Sequence, residues 1–138
     1  MTALVLDAEA LSLLADAGAR SAEVMAAVKA AANLGRPVVA PTVVLLELMR
    51  GSSRMAAVNS ALNRSQDLVA LRHTDRDFAG LVGGVLPAAD ADSADMVDAH
   101  CVAATVECGG GGGVILTADT DDMIQLSASY RNVIVERV

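Results

Sequence analysis

Tryptophan is absent, phenylalanine and tyrosine occur once each, and Lys29 is the single lysine. With so few rings, the core has to be built from the Ala, Val and Leu that dominate a 54% apolar composition. Small side chains of this kind suit helices packed closely on a sheet. No apolar run reaches the ~18 uncharged residues of a membrane span, and the amino terminus lacks the basic start of a secretory leader. The expectation is a cytoplasmic protein without a membrane partner. Only two cysteines occur, Cys101 and Cys108. In a stretch that reads as helix they stand two turns, or ~10 Å, apart, which is beyond disulfide reach. With His73 and His100 the only histidines, a zinc site is poorly supplied, and reduced thiols are expected.

Lysine and arginine are missing altogether from Phe78 to Tyr130, while eight acids fall in the same stretch: Asp90, Asp92, Asp95, Asp98, Glu107, Asp119, Asp121 and Asp122. Arg50, Arg54, Arg64, Arg72 and Arg76 hold half of the ten basic residues. Two solvated faces would explain such segregation. So would an acidic metal centre bordered by an arginine surface, since arginine suits bidentate phosphate contacts better than lysine does. The net charge of −7 does not exclude a nucleic-acid substrate, because the local field and a metal decide.

What is present alternates between strand and helix signals. "ALVL" (3–6), "PVVAP" (37–41), "LVAL" (68–71), "VILT" (114–117) and "VIVERV" (133–138) read as strands. Helices are expected over 8–17, 21–33, 42–50, 54–63, from Thr74 to about Gly83-Gly84, 94–107 and 120–128. Thr74 with Asp77 resembles a capping box, and Ser93 is placed to cap the 94–107 helix. "PAADAD" (87–92) reads as a loop, and the five glycines 109–113 as a flexible connection, because a phosphate-binding loop follows a strand and needs a Lys-Ser/Thr ending. Strands separated by helices predict an α/β fold: a central, mainly parallel β-sheet flanked by helices in three layers. No internal repeat or linker divides residues 1–138, so one domain is expected.

In such a sheet, ligands bind outside the carboxyl ends of the strands. Asp7 ends the first strand, and Asp119 lies just past the 114–117 strand. Asp98 opens the 94–107 helix with Asp95 three residues before it, on the same face. Glu47 sits in "VVLLELM", where a charge among apolar neighbours needs a partner. Two carboxylates ~4 Å apart repel by about 4 kcal/mol at an effective dielectric of 20. Four that converge would threaten the stability of the whole domain. Either they stay apart or cations hold them, and oxygen-only ligands select Mg²⁺ or Mn²⁺.

The ordered set "VLDAEAL", "PTVVLLELMRG", "SADMVDAHCVAA" and "VILTADTDDM" resembles the PIN-domain ribonucleases, in particular the VapC-type toxins of bacterial toxin–antitoxin pairs. The resemblance runs over essentially the whole chain. It implies a PIN-like fold and a catalytic quartet of Asp7, Glu47, Asp98 and Asp119. It also implies metal ligation by Asp7, Asp98 and Asp119 with Asp121 as an additional acid, and Thr117 orienting the site. Asp95 is left as a supporting or surface acid. Ala8 departs from the hydroxyl residue that many members carry after the first Asp. The implied reaction is Mg²⁺- or Mn²⁺-dependent hydrolysis of an RNA phosphodiester. The implied partners are an RNA substrate, a cognate antitoxin and a second copy in a homodimer. Arg50 and Arg54, at i+3 and i+7 from Glu47 and so on one stripe, are the candidate RNA contacts, Arg50 pairing with the carboxylate cluster or a substrate phosphate and Arg54 further out. Leu11, Leu14, Met25, Val28 and Leu62 are apolar ridges compatible with a partner, though such helical spacing is more often ordinary core.

Three rivals fit less well. A phosphoaspartate receiver wants a late-strand lysine, a haloacid-type phosphatase wants D-x-D where "DAEAL" has D-x-E, and a calcium loop in "DADSAD" lacks its Gly and Glu. The alternative from another class is a PIN-fold module that binds metal, RNA or a partner without cutting.

Overall fold

The computed structural model describes residues 2–92, 95–108 and 112–138. Five strands, β1 (Ala3–Leu6), β2 (Val38–Pro41), β3 (Ala70–Arg72), β4 (Gly113–Thr117) and β5 (Val133–Arg137), alternate with seven helices among the described residues. The helices are α1 (Ala8–Ala15), α2 (Ala19–Asn33), α3 (Leu45–Leu48), α4 (Ser52–Arg64), α5 (Arg76–Ala88), α6 (Met96–Glu107) and α7 (Thr120–Ser127), with a 3₁₀ turn at Thr42–Val44 before α3.

The strands form a single sheet in the order β3-β2-β1-β4-β5, and every pairing is parallel. The chain builds outward from β1 to β3, then restarts at β4 on the other side of β1. The switch point therefore lies between β1 and β4, where a parallel sheet opens its crevice. All four residues of β1 are buried, as both faces of a central parallel strand must be. Gly113 lies against Thr105 of α6, while Leu116, of opposite parity, lines a cleft with Ala27 of α2. Strand alternation thus puts α6 and α2 on opposite faces, which makes three layers.

The helix α6 is the buried centre of its layer. Ala99 through Thr105 are all buried, and the helix touches β1, β2, β4, β5, α5 and α7. Small residues allow this close approach, and the Thr105 hydroxyl donates to the Cys101 carbonyl at 2.8 Å, so no polar group is stranded. Phe78 of α5, fully buried, meets the His100 ring edge-on at 5.7 Å. The Arg72 guanidinium lies 4.4 Å over the other ring system, that of Phe78, and reaches both Glu107 and Asp75. Edge strand β3 is thereby tied to two helices. Cys101 is buried, Cys108 is half-buried, and both are free thiols.

Several sequence expectations change in detail. The 42–50 helix is a 3₁₀ turn and one α-helical turn that breaks at Met49 (ψ 58°), followed by Gly51 at φ +85°. The α5 cap is Asp75, which accepts the Phe78 N–H at 2.8 Å, rather than Thr74, whose hydroxyl meets His100 Nε2 at 3.1 Å. Pro87 and Ala88 extend α5 instead of opening a loop. Ser93, expected as a cap, lies outside the described residues, as do Gly109–Gly111. The last two glycines are more than flexible spacers. A side chain at Gly112 would strike the Asn132 carbonyl, and one at Gly113 would lie 2.6 Å from the Ala3 carbonyl. Close backbone approach is what those two positions require.

Candidate active site

The carboxyl edge of the sheet carries the acids. Asp7 follows β1 and caps α1, its Oδ1 accepting the Ala10 N–H at 2.8 Å. Asp119 follows β4 and precedes α7, where its carboxylate receives a long 3.5 Å contact from the Asp122 N–H. Glu47 comes from α3, brought over β2 by the Pro41 turn, and Asp98 from the first turn of α6. With Ala8, Glu9, Leu48 and Ala118 these four line one cavity of about 410 Å³. Four elements far apart in sequence thus deliver one carboxylate each to the switch point.

Thr117 connects two of them. Its buried hydroxyl accepts the Asp119 N–H at 3.0 Å and favours the charged form of Asp7. None of the four acids takes part in an ion pair among the described residues. Burial pushes the Asp7 carboxyl above its ordinary value, against the lowering hydrogen bonds from Ala10 and Thr117. Asp98 is pushed up to about 6, first by burial and then by the charges of Asp7, Glu47, Asp119 and Asp122. The cavity is therefore an uncompensated negative site.

The remaining sequence candidates are distributed otherwise. Asp121 is exposed in the first turn of α7 and does not line the cavity, because two residues carry it ~200° around the helix from Asp119. Asp95 lines a separate cleft with Asp90, Asp92 and Asp122. Glu47 is exposed, so the buried-charge argument for it fails: α3 turns its acid toward open solvent in the cavity. Arg54 is not on a stripe with Glu47, because the break at Met49–Gly51 separates α3 from α4. Its guanidinium instead pairs with Asp16 at 2.9 Å and with the Ser12 hydroxyl and carbonyl. Arg50 is exposed in that break. Of the apolar ridges, Leu11, Leu14 and Val28 belong to the core, while Met25 and Leu62 are half-buried.

Two residues at this edge of the sheet were not anticipated. Glu9 adds a fifth carboxylate to the lining, and its spacing of two from Asp7 was the available signal. Arg137 ends β5 in register with Thr117, and its Nη2 donates to the Thr120 hydroxyl at 3.3 Å. The alternation Val133, Val135, Arg137 would have put it on the Thr117 face.

The donor chemistry suits a hard divalent ion, being oxygen only. His100 is turned to the Met96 carbonyl and Thr74, and Cys101 is buried in the core. As they stand, no three His, Cys, Asp or Glu side chains among the described residues are close enough together to hold an ion.

An all-parallel five-stranded sheet with flanking helices and acids at its switch point defines a PIN-like α/β fold. A solved structure bears this out: over 99% of this chain and 98% of its own, with a TM-score of 0.61 and 12% identity, the fold is similar to a chain in the crystal structure of VapBC2 from Rickettsia felis bound to a DNA fragment from their promoter. No family model and no curated protein sequence matches the chain. At that identity the likeness is one of fold. No helix among the described residues is long and apolar enough to cross a membrane.

Proposed function

We propose that this protein is a metal-dependent endoribonuclease, acting as the toxin of a toxin–antitoxin pair. The observation that carries the reading is the convergence of Asp7, Glu47, Asp98 and Asp119 on one cavity, with no ion pair to any of them among the described residues. Such a cluster costs stability unless a cation joins it.

Asp7, Asp98 and Asp119 would hold Mg²⁺ or Mn²⁺, drawing together around it, with Asp121 as an outlying further acid. Bound there, the ion would supply Lewis acidity toward water and phosphate. Thr117 holds Asp7 in place and fixes the start of the loop that carries Asp119. Glu47, exposed on its short helix, is free to accept a proton at the solvent side of the cavity, the task of a general base. Arg50, exposed beyond Glu47, is a candidate contact for RNA phosphate. The similar fold belongs to a VapBC2 assembly, which supports a cognate antitoxin as partner and a cytoplasmic setting. Exposed Leu46 (74%) and Met55 (42%), which flank the break after α3, are the apolar side chains available to an antitoxin or a second copy.

Cleavage of a structured RNA by antitoxin-free protein tests the reading. Cutting is expected with Mg²⁺ or Mn²⁺, and it is expected to vanish with EDTA and in Asp98→Asn. Folded protein that cuts no RNA with either metal would leave a non-cutting binding module.

A further inference from the structure

The acid cavity poses a problem for any RNA nuclease: five carboxylates face a polyanionic strand. Apart from Arg50, several of the arginines that could offset them are already engaged. Arg54 is neutralised by Asp16, and Arg72 by Asp75 and Glu107. Arg64 is held by Ser60 of its own helix.

The carboxyl end of β5 differs. Arg137 pairs in register with Thr117, the residue whose hydroxyl joins Asp7 and Asp119. Paired residues of a parallel ladder project from the same face, and the Arg137 side chain reaches the start of α7, while the residue also lines a cleft with Val24 and Ala27 of α2. Its guanidinium touches the protein through the Thr120 hydroxyl, the residue next to Asp119. Among the described residues it makes no ion pair, and most of its N–H donors are unused. Arg20, at the start of α2, reaches the same end of the strand by donating to the Val138 carbonyl at 3.0 Å, and it too is outside every ion pair. Two guanidinium groups outside any ion pair among the described residues therefore stand at the carboxyl end of β5, in a chain of net charge −7: Arg137 touches the residue next to Asp119 and lines a separate cleft with Glu23 and Glu136, and Arg20 reaches the Val138 carbonyl. A planar guanidinium with free donors is the side chain best matched to a phosphate.

We propose that Arg137, with Arg20 beside it, grips the RNA backbone, and that the strand leaves the acid cavity across the carboxyl end of β5. This rests on the ribonuclease reading above. Thr120 pre-positions Arg137, so the fork is presented without the full loss of side-chain freedom on binding. Arg137 binds substrate on this account and takes no part in bond cleavage.

The experiment compares the parent, Arg137→Ala and Arg137→Lys. Binding of a fluorescent single-stranded oligoribonucleotide is followed by anisotropy over a salt series with Mg²⁺, in an Asp98→Asn background that does not cut. Cleavage kinetics are run without that substitution. Arg137→Ala is expected to weaken binding about tenfold and to reduce the log–log salt slope by about 0.7, the value of one phosphate contact on a single strand. KM should rise while kcat stays within about twofold. Arg137→Lys should keep the slope with part of the affinity. A purely structural role would lower the melting temperature and leave the slope untouched. If the parent cuts RNA and Arg137→Ala matches it in affinity and slope, the Arg137 assignment is wrong and the nuclease stands. If the parent neither binds nor cuts RNA, both fall.

Discussion

Asp7 and Asp119 are linked through a single side chain: the buried Thr117 hydroxyl accepts the Asp119 N–H at 3.0 Å and favours the charged form of the Asp7 carboxyl. The link spans the switch point between β1 and β4, so the relative position of the two acids depends on it. Thr117→Val keeps the shape and removes the hydroxyl that serves both. Chemical denaturation should show a loss of about 1–3 kcal/mol, from the unpaired buried groups. Metal-dependent cleavage should fall at least tenfold, as happens when a group supporting metal ligands is removed. Thr117→Ser should retain most of both; equal rates in the Val and Thr forms would rule out an orienting role.

Asp98 makes stability depend on pH. Its folded value of about 6 lies above the ordinary 3.8, so between those values the folded state holds more protons than the unfolded chain. Stability therefore falls as pH rises through that window, and the penalty is complete above it. Asp75, held down by Arg72, has the opposite sign: its contribution is present above its ordinary value and is lost as pH falls below it. The difference between parent and Asp98→Asn isolates the first effect. At neutral pH, Asp98→Asn should be more stable by on the order of 1–2 kcal/mol, after allowance for solvent screening of a half-exposed group. That gain should disappear by about pH 4. Unfolding curves at several pH values that stay parallel would contradict this.

Mg²⁺ should raise the melting temperature of the parent at neutral pH, since binding to the folded state alone stabilises by mass action. The rise should be smaller in Asp98→Asn and should shrink toward pH 5 as carboxylates protonate. Thermal melts with and without EDTA are sufficient. An identical rise in parent and Asp98→Asn would place any bound ion elsewhere.

Phe78 is fully buried between the Arg72 guanidinium and His100. Phe78→Ala should cost about 3–5 kcal/mol. Arg72→Lys should also destabilise, because an ammonium cannot bridge Glu107 and Asp75 while stacking on a ring. Both follow from urea titrations. A near-neutral Phe78→Ala would mean that the α5–α6 layer repacks freely.

Gly113→Ala tests the close approach at the start of β4. Its Cβ would lie 2.6 Å from the Ala3 carbonyl and 2.9 Å from Thr105 Cγ2. The β1–β4 pair or α6 would have to shift, at a cost of about 1–3 kcal/mol. Arg54→Ala, by contrast, should leave RNA cleavage unchanged and cost no more than ~1 kcal/mol, since its partner Asp16 is half-exposed.

The strands and helices were legible in the sequence because local signals report local structure. Short apolar runs such as Val114–Leu116 and breakers such as Gly35 and Gly51 specify their own segments, and the DAEAL and TADTDD stretches mark the ends of strands. Where a second influence competes, local reading failed. Glu47 and Arg54 share a helical spacing, but Gly51 at φ +85° interrupts the helix between them. Asp75 rather than Thr74 caps α5, because Thr74 is drawn to His100.

By itself, then, the sequence determined which segments are strand or helix, that the sheet is parallel, and in what order the acids arrive. Only the tertiary structure decided which acids meet. Strand order places β1 beside β4, which brings Asp7, Asp98, Asp119 and Glu47 into one cavity and leaves Asp95 in another cleft and Asp121 on the outside of α7. It also decided which arginines are spent on ion pairs and which, like Arg137, stay uncommitted. The physical reason is range: a periodic pattern is set by neighbours one turn or one pleat away, whereas the convergence of charges depends on how distant segments pack, and no local pattern encodes that.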